Sequence, residues 1–159
     1  MGRRSMSDDQ AKVRAEARRR FGKRLKALRV ARGAGQRQAA LGAAEGNALA
    51  GFVPAALGHW EAGRRMPHPS QLRALLRFLQ VGETDLLELL DLAGQAGPRY
   101  YYGDHVRETC DLPPAERVQA WHMWASQQWE RRRSARVERP DTRDWALPFT
   151  PREDAEATG

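Results

Sequence analysis

The run Leu57-Gly58-His59-Trp60-Glu61-Ala62-Gly63-Arg64-Arg65-Met66-Pro67 constrains this chain more than any other segment. Leu57 and Trp60 stand about one turn apart, so a helix here presents a single apolar face. Pro54 suits the first turn of that helix, where a missing N–H does no harm. Gly63 stops it near Ala62, and Pro67-His68-Pro69 makes a stiff connector. A helix this short is not stable alone. It has to lay Leu57 and Trp60, with Phe52 closing the preceding turn, on a core that other elements build.

Those elements read as helices too. Val13, Ala17, Phe21, Leu25 and Leu28 recur at helical spacing, which predicts a first helix over 8–32. Asp8 and Asp9 complement the dipole at its start, and Gly33-Ala34-Gly35 ends it. An alanine-rich second helix is expected from Gln36 to about Ala44, with a loop from Glu45 to Gly51. After the connector, Ser70 is the expected cap of a fourth helix carrying Leu72, Leu75, Leu76 and Leu79. Thr84 is the expected cap of a fifth, through Leu86, Leu87, Leu89 and Leu90, with Gly94 after it. Gln95-Ala96-Gly97-Pro98 then reads as a domain boundary. Arg99 to Gly103 shows no clear period, and Pro113-Pro114 opens a helix reaching about Arg136.

The chain has 159 residues with a formal net charge of +7, which suits nucleic acid or another anionic surface as partner. Hydrophobic residues make up 41 % and aromatics only 8 %, so the core is expected to be built from Leu and Ala. Cys110 is the single cysteine, so no intramolecular disulfide can form, in keeping with a reducing cytoplasm. No run approaches the ~20 apolar residues that span a bilayer, and no apolar stretch follows Met1–Ser5 to make a secretory leader. A cytoplasmic protein with no membrane partner is expected.

The ordered set of Phe21-Gly22-Lys23-Arg24-Leu25-Lys26-Ala27-Leu28-Arg29, Arg32-Gly33, Gln36, the Leu57–Pro67 run and the leucines of helices four and five resembles the phage-repressor and Cro-like helix-turn-helix family, also called the Xre family. The resemblance covers about residues 18–92. It implies an all-α fold: a five-helix DNA-binding domain in which the second helix braces the DNA backbone and the third enters the major groove. It implies an ion pair between Arg29 and Glu61, and a phosphate contact from Gln36, with Arg37 beside it. Arg64 and Arg65, just past the reading helix, are implied phosphate contacts that position the protein without reading sequence. The base-reading positions fall on Pro54, Ala55, Gly58 and His59.

This chain departs from the family in two ways that bear on DNA reading. Between Gln36 and Gly51 it carries about seven extra residues, an insertion that costs little entropy but can shift the reading helix. Of the four base-reading positions only His59 offers hydrogen-bonding atoms, whereas direct readout needs donors and acceptors. Specificity is therefore modest, or drawn from DNA shape and from the arginine-rich stretch Arg14–Arg24. A smaller departure is Gln80, which stands where relatives usually end helix four with glycine.

The expected organisation is a basic helical extension over 1–17, the helix-turn-helix domain over 18–94, a linker and Trp-rich helix over 95–136, and a disordered tail over 137–159. On the Trp-rich helix, Val118, Trp121 and Trp124 (or Ala125) share a face, and Trp129 extends it. Three uses fit that face: packing onto the five-helix domain, pairing in a homodimer or with a protein partner, and caging a small ligand. In the tail, Trp145 to Phe149 reads as a short docking motif or a segment folded back on the body. His105, Cys110 and His122 match no zinc spacing, and no nucleophile, base or phosphate-loop constellation occurs. No metal, cofactor or catalytic site is expected. The expected function is a DNA-binding transcriptional regulator that is not an enzyme. The alternatives are an interaction module that keeps the fold without specific reading, and an antitoxin that masks a toxin with its Trp helix.

Overall fold

The computed structural model describes residues 6–46 and 54–137, and its regular elements there are all helical. In chain order they are α1 (Met6–Ala31), α2 (Gln36–Gly46), α3 (Pro54–Glu61), α4 (Pro69–Leu79), α5 (Glu83–Gln95), a 3₁₀ turn (Arg99–Tyr101), α6 (Tyr102–Thr109) and α7 (Pro114–Val137). The expected all-α architecture holds, and the first five helices fall within a few residues of their expected bounds. The insertion's residues 47–53, the Trp145–Phe149 motif and the expected disordered tail beyond Val137 lie outside the described residues.

The helices bury most of the faces their spacing marks; the exception is Val13, expected on the buried face of α1, which is exposed. Phe21 and Leu25 of α1, Leu57 and Trp60 of α3, Leu72, Leu75, Leu76 and Leu79 of α4, and Leu86, Leu89 and Leu90 of α5 form one core. The α4 set follows the i, i+3, i+4, i+7 rule of an amphipathic helix. Small residues supply the α2 side, where Ala39 and Ala43 are buried. α1 packs on α3 and α5, and α2 on α3 and α4. The α1–α3 contact is backbone-close: a Cβ on Gly22 would sit 2.4 Å from the Glu61 carbonyl oxygen. Only a glycine lets α1 cross the end of α3 at that distance.

Three helices end in the same way. Past α1, Gly33 takes φ +81°, and past α3, Gly63 takes φ +75°. In each case the next amide closes on a carbonyl of the last turn: Ala34 N–H on Arg29 and Arg64 N–H on His59. α4 ends likewise, with Gln80 N–H on Arg77 and Val81 N–H on Leu76, but the left-handed residue is Gln80 itself (φ 54°, ψ 47°). The departure from glycine noted in the sequence thus falls on a position whose backbone favours glycine.

Two expected caps are corrected. α4 starts one residue before Ser70, at Pro69, and its cap is His68. The His68 Nδ1 accepts the Ser70 N–H at 3.2 Å, while Gln71 Oε1 accepts the His68 N–H at 3.1 Å, a reciprocal capping box. α5 starts at Glu83 with Gly82 as cap, and Thr84 lies inside its first turn. The turn that ends α4 at Val81 leaves only Gly82 before the next helix.

The segment after α5 also differs from expectation. Gln95–Pro98 ends a helix, but the described residues up to Ser126 form one compact unit that continues through it. α6 packs on α5. Its Tyr102 is fully buried and donates its hydroxyl to the Pro67 carbonyl at 3.0 Å. Burial pushes the Tyr102 phenol well above its usual range. Trp121 and Ala125 of α7 are fully buried in the same core. Periodicity misses α6 because it is short and its two buried residues, Tyr102 and His105, are polar-tipped. The second unit begins at Gln127 and holds the last turns of α7 among the described residues.

Candidate nucleic-acid interface

Arg29 and Glu61 meet as the sequence leads one to expect. Arg29 Nε donates to Glu61 Oε2 at 2.5 Å and its Nη2 to Oε1 at 2.9 Å, a bidentate pair. Both residues are buried, at 7 % and 8 % exposure. The remaining Nη1 donates to the Ala34 carbonyl at 2.8 Å, in the turn past α1. The hydrogen bond to Glu61, reinforced by its charge, raises the Arg29 pKa against the opposing effect of burial.

Gln36 joins this pair. Its Nε2 donates to Glu61 Oε1 at 2.9 Å. Helices α1, α2 and α3 are therefore locked by one carboxylate, which fixes how α3 lies beside α2. A Cβ on Gly58 would stand 3.8 Å from the Gln36 amide, so the middle of α3 also lies along this side chain. The residue expected to meet a phosphate is exposed, and one N–H of its amide is taken by Glu61. The signal for this was weak in sequence, since the two residues are 25 positions apart and only the helix crossing unites them.

The other expected residues differ in exposure. Arg37 is exposed on the first turn of α2, which holds no acidic residue. Ala55 is exposed on α3, while Pro54, Gly58 and His59 are partly buried. Arg64 and Arg65 are exposed immediately past α3, and neither forms an ion pair among the described residues. The arginine stretch of α1 divides. Arg24 bridges to Asp85 and to Glu88 (3.1 Å), tying α1 to α5. Arg18 turns toward the Ala96 carbonyl at 3.3 Å. Sequence reasoning left aside Arg99, which the fold brings with Arg14 and Arg18 to the same groove as Arg64 and Arg65.

The Trp face resolves into core. Trp121 has no exposed surface, and Val118 and Trp124 are partly buried against the core. Trp124 stacks on the His105 ring, with centroids 4.5 Å apart. Burial, helped by Arg117, lowers the His105 pKa to about 4. Trp121 is therefore not a surface for a second chain or a ligand cage in this fold. Trp129 lies on α7 beyond this unit, and its side chain is outside the described set. Among the described residues no group of His, Cys, Asp and Glu is arranged to hold a metal ion, and no helix is long and apolar enough to cross a membrane. Cys110 is exposed.

Residues 20–90, which span α1 from Arg20 to Leu90 in α5, match the family model of a helix-turn-helix domain. No curated protein and no solved structure matches the chain.

Proposed function

We propose that this protein is a DNA-binding transcriptional regulator, and that it is not an enzyme. The observation that carries the reading is the placement of exposed Arg64 and Arg65 directly past α3, within the helix-turn-helix segment and without carboxylate partners among the described residues. In this reading α3 lies in the major groove, and Arg37, Arg64 and Arg65 neutralise phosphates on either side of it. His59 is the residue that offers a base edge a hydrogen bond, and Ala55 offers a thymine methyl an apolar contact. Most of the affinity is then electrostatic and most of the specificity comes from DNA shape.

The test is selection of bound fragments from a genomic library at about 0.15 M salt, repeated with Arg64→Ala/Arg65→Ala. A recovered motif supports the regulator. A palindrome with half-sites about one turn apart, some 34–36 Å, further indicates two copies per site. The double variant is expected to weaken binding on all sequences alike and to reduce the slope of log K against log salt by roughly 2. A change of site preference would instead make these arginines base readers. One observation favours a second reading, a protein-interaction module or antitoxin: three of the four reading positions are Pro, Ala and Gly. Recovery of arbitrary fragments, or of none, would favour it.

A further inference from the structure

Beside the α3 end of this surface lies a groove of about 740 Å³. Arg14 and Arg18 form one wall; they are four residues apart on α1 and so share a face. Arg64 and Arg65 come from the connection between α3 and α4, and Arg99 from the 3₁₀ turn. No carboxylate lines the groove. None of the five arginines forms an ion pair among the described residues, although Arg19, Arg24, Arg29, Arg107 and Arg117 all do. A concave site with several guanidiniums and no counter-charge is suited to an anion carrying more than one charge.

Tyr100 and Tyr101 complete the lining. Both hold left-handed backbones, at φ 62° and φ 61°. Positions of that kind favour Gly or Asn, and strained residues gather at functional sites. For Tyr100 packing offers a reason: its ring meets the His68 ring edge-on at 5.2 Å, and Arg99 lies 4.9 Å from its centroid. For Tyr101 packing offers none. It is 65 % exposed and makes no ring contact among the described residues. Arg18 donates to the Ala96 carbonyl at 3.3 Å and Arg99 to the Tyr100 hydroxyl at 3.1 Å, but neither meets a carboxylate among the described residues. An exposed aromatic face beside guanidiniums without a counter-charge is what stacks a flat ring while its phosphates are held. The groove's volume lies in the range of small-molecule sites, ~300–1,000 Å³, and Ala11, Met66 and Pro98 give it an apolar part.

We infer that this groove binds a nucleotide-class ligand, with its phosphates on Arg14, Arg18, Arg64, Arg65 and Arg99 and its base on Tyr101. The inference goes beyond the DNA-binding reading and does not depend on it. A ligand there would occupy Arg64 and Arg65, so it would compete with DNA wherever those arginines meet phosphates.

Calorimetric titration of the full chain at about 0.15 M salt tests this, with ATP, inorganic tripolyphosphate and adenosine as separate probes. ATP is expected to bind about tenfold or more tighter than tripolyphosphate, and adenosine not measurably. Tyr101→Asn tolerates the left-handed backbone and removes the ring; it is expected to bring ATP to the tripolyphosphate level and leave tripolyphosphate unchanged. Arg14→Gln with Arg99→Gln is expected to weaken both phosphate probes roughly fivefold or more. All three positions are on the surface, and thermal melts of the variants establish that the fold is kept. Equal affinities for ATP and tripolyphosphate, or ATP binding untouched by these variants, would overturn the proposal. So would absence of ATP binding, including the case in which the same variants weaken retention of a short DNA duplex, which would make the groove part of a DNA track.

Discussion

Removing either half of the Arg29–Glu61 pair strands the other in a buried site. Arg29→Ala and Glu61→Ala are each expected to lower unfolding stability by about 3–5 kcal/mol. The double variant should lose clearly less than the sum, because the pair and the Gln36 bond are one network. Denaturant titrations of the three variants measure this, and additive losses would mean that the two side chains act independently. His105 gives a second residue-scale prediction. Its pKa is lowered to about 4 by burial and by Arg117, below the ordinary value of about 6.5. The unfolded chain therefore binds the proton more readily than the folded one. Stability is fully present above about pH 6.5, falls as pH drops toward 4, and is lost below it. The loss is at most about 3 kcal/mol. His122, also lowered by burial and by Arg73 and Arg77, adds to the same slope. His105→Phe keeps a ring against Trp124 and should flatten melting temperature against pH between 4 and 6.5; an unchanged profile would put the slope elsewhere.

Among the elements, the ends of the helices show most clearly what the sequence can and cannot convey. Gly33 and Gly63 mark the ends of α1 and α3 legibly, because glycine favours the left-handed backbone that closes a helix. α4 ends with the same hydrogen bonds on Gln80, so its stop is not marked by residue type. Gln80→Gly is expected to raise stability by up to about 1 kcal/mol, the relieved strain being partly offset by the freer unfolded chain. A lower melting temperature in Gln80→Gly would show that the glutamine side chain contributes more than its backbone costs. The start of α4 is hidden for a related reason. His68 is an uncommon cap, and its role depends on an imidazole nitrogen reaching the Ser70 amide, which a reading of cap preferences assigns to Ser70 itself.

On the scale of the molecule, α6 and the first half of α7 belong to the compact unit that contains the helix-turn-helix segment. Ending the chain after Leu112 removes Trp121 and Ala125, both fully buried. The expected loss exceeds the about 3–5 kcal/mol of truncating one buried Trp, so the shortened chain should melt far lower or without cooperativity. A chain ending after Ser126 should keep the native melting temperature. Calorimetry on both separates the cases; a sharp, unshifted transition in the shorter chain would remove Trp121 from the core. The tyrosine hydroxyl of α6 on the Pro67 carbonyl gives this unit a further tie, from the far side of the α3–α4 connection.

The sequence by itself determined the helical class, the positions of the first five helices and of α7, most of the apolar face that α1, α3, α4 and α5 bury and, through its family resemblance, the Arg29–Glu61 pair. All of these follow from local spacing, from residues with special backbone needs, or from a motif whose members keep fixed offsets. Tertiary structure alone decided the rest. Periodicity marks Val118 and Trp121 as one face but does not say what covers it; the fold covers Trp121 with its own core. Composition marks Gln36 as a polar residue at a helix start, and only the crossing of α1, α2 and α3 hands its amide to Glu61. Arg14, Arg64 and Arg99 are scattered along the chain, and their shared groove exists only because α1, the α3–α4 connection and the segment after α5 come together. Contacts between residues distant in sequence depend on helix packing, and that packing is settled by the summed burial of many side chains at once.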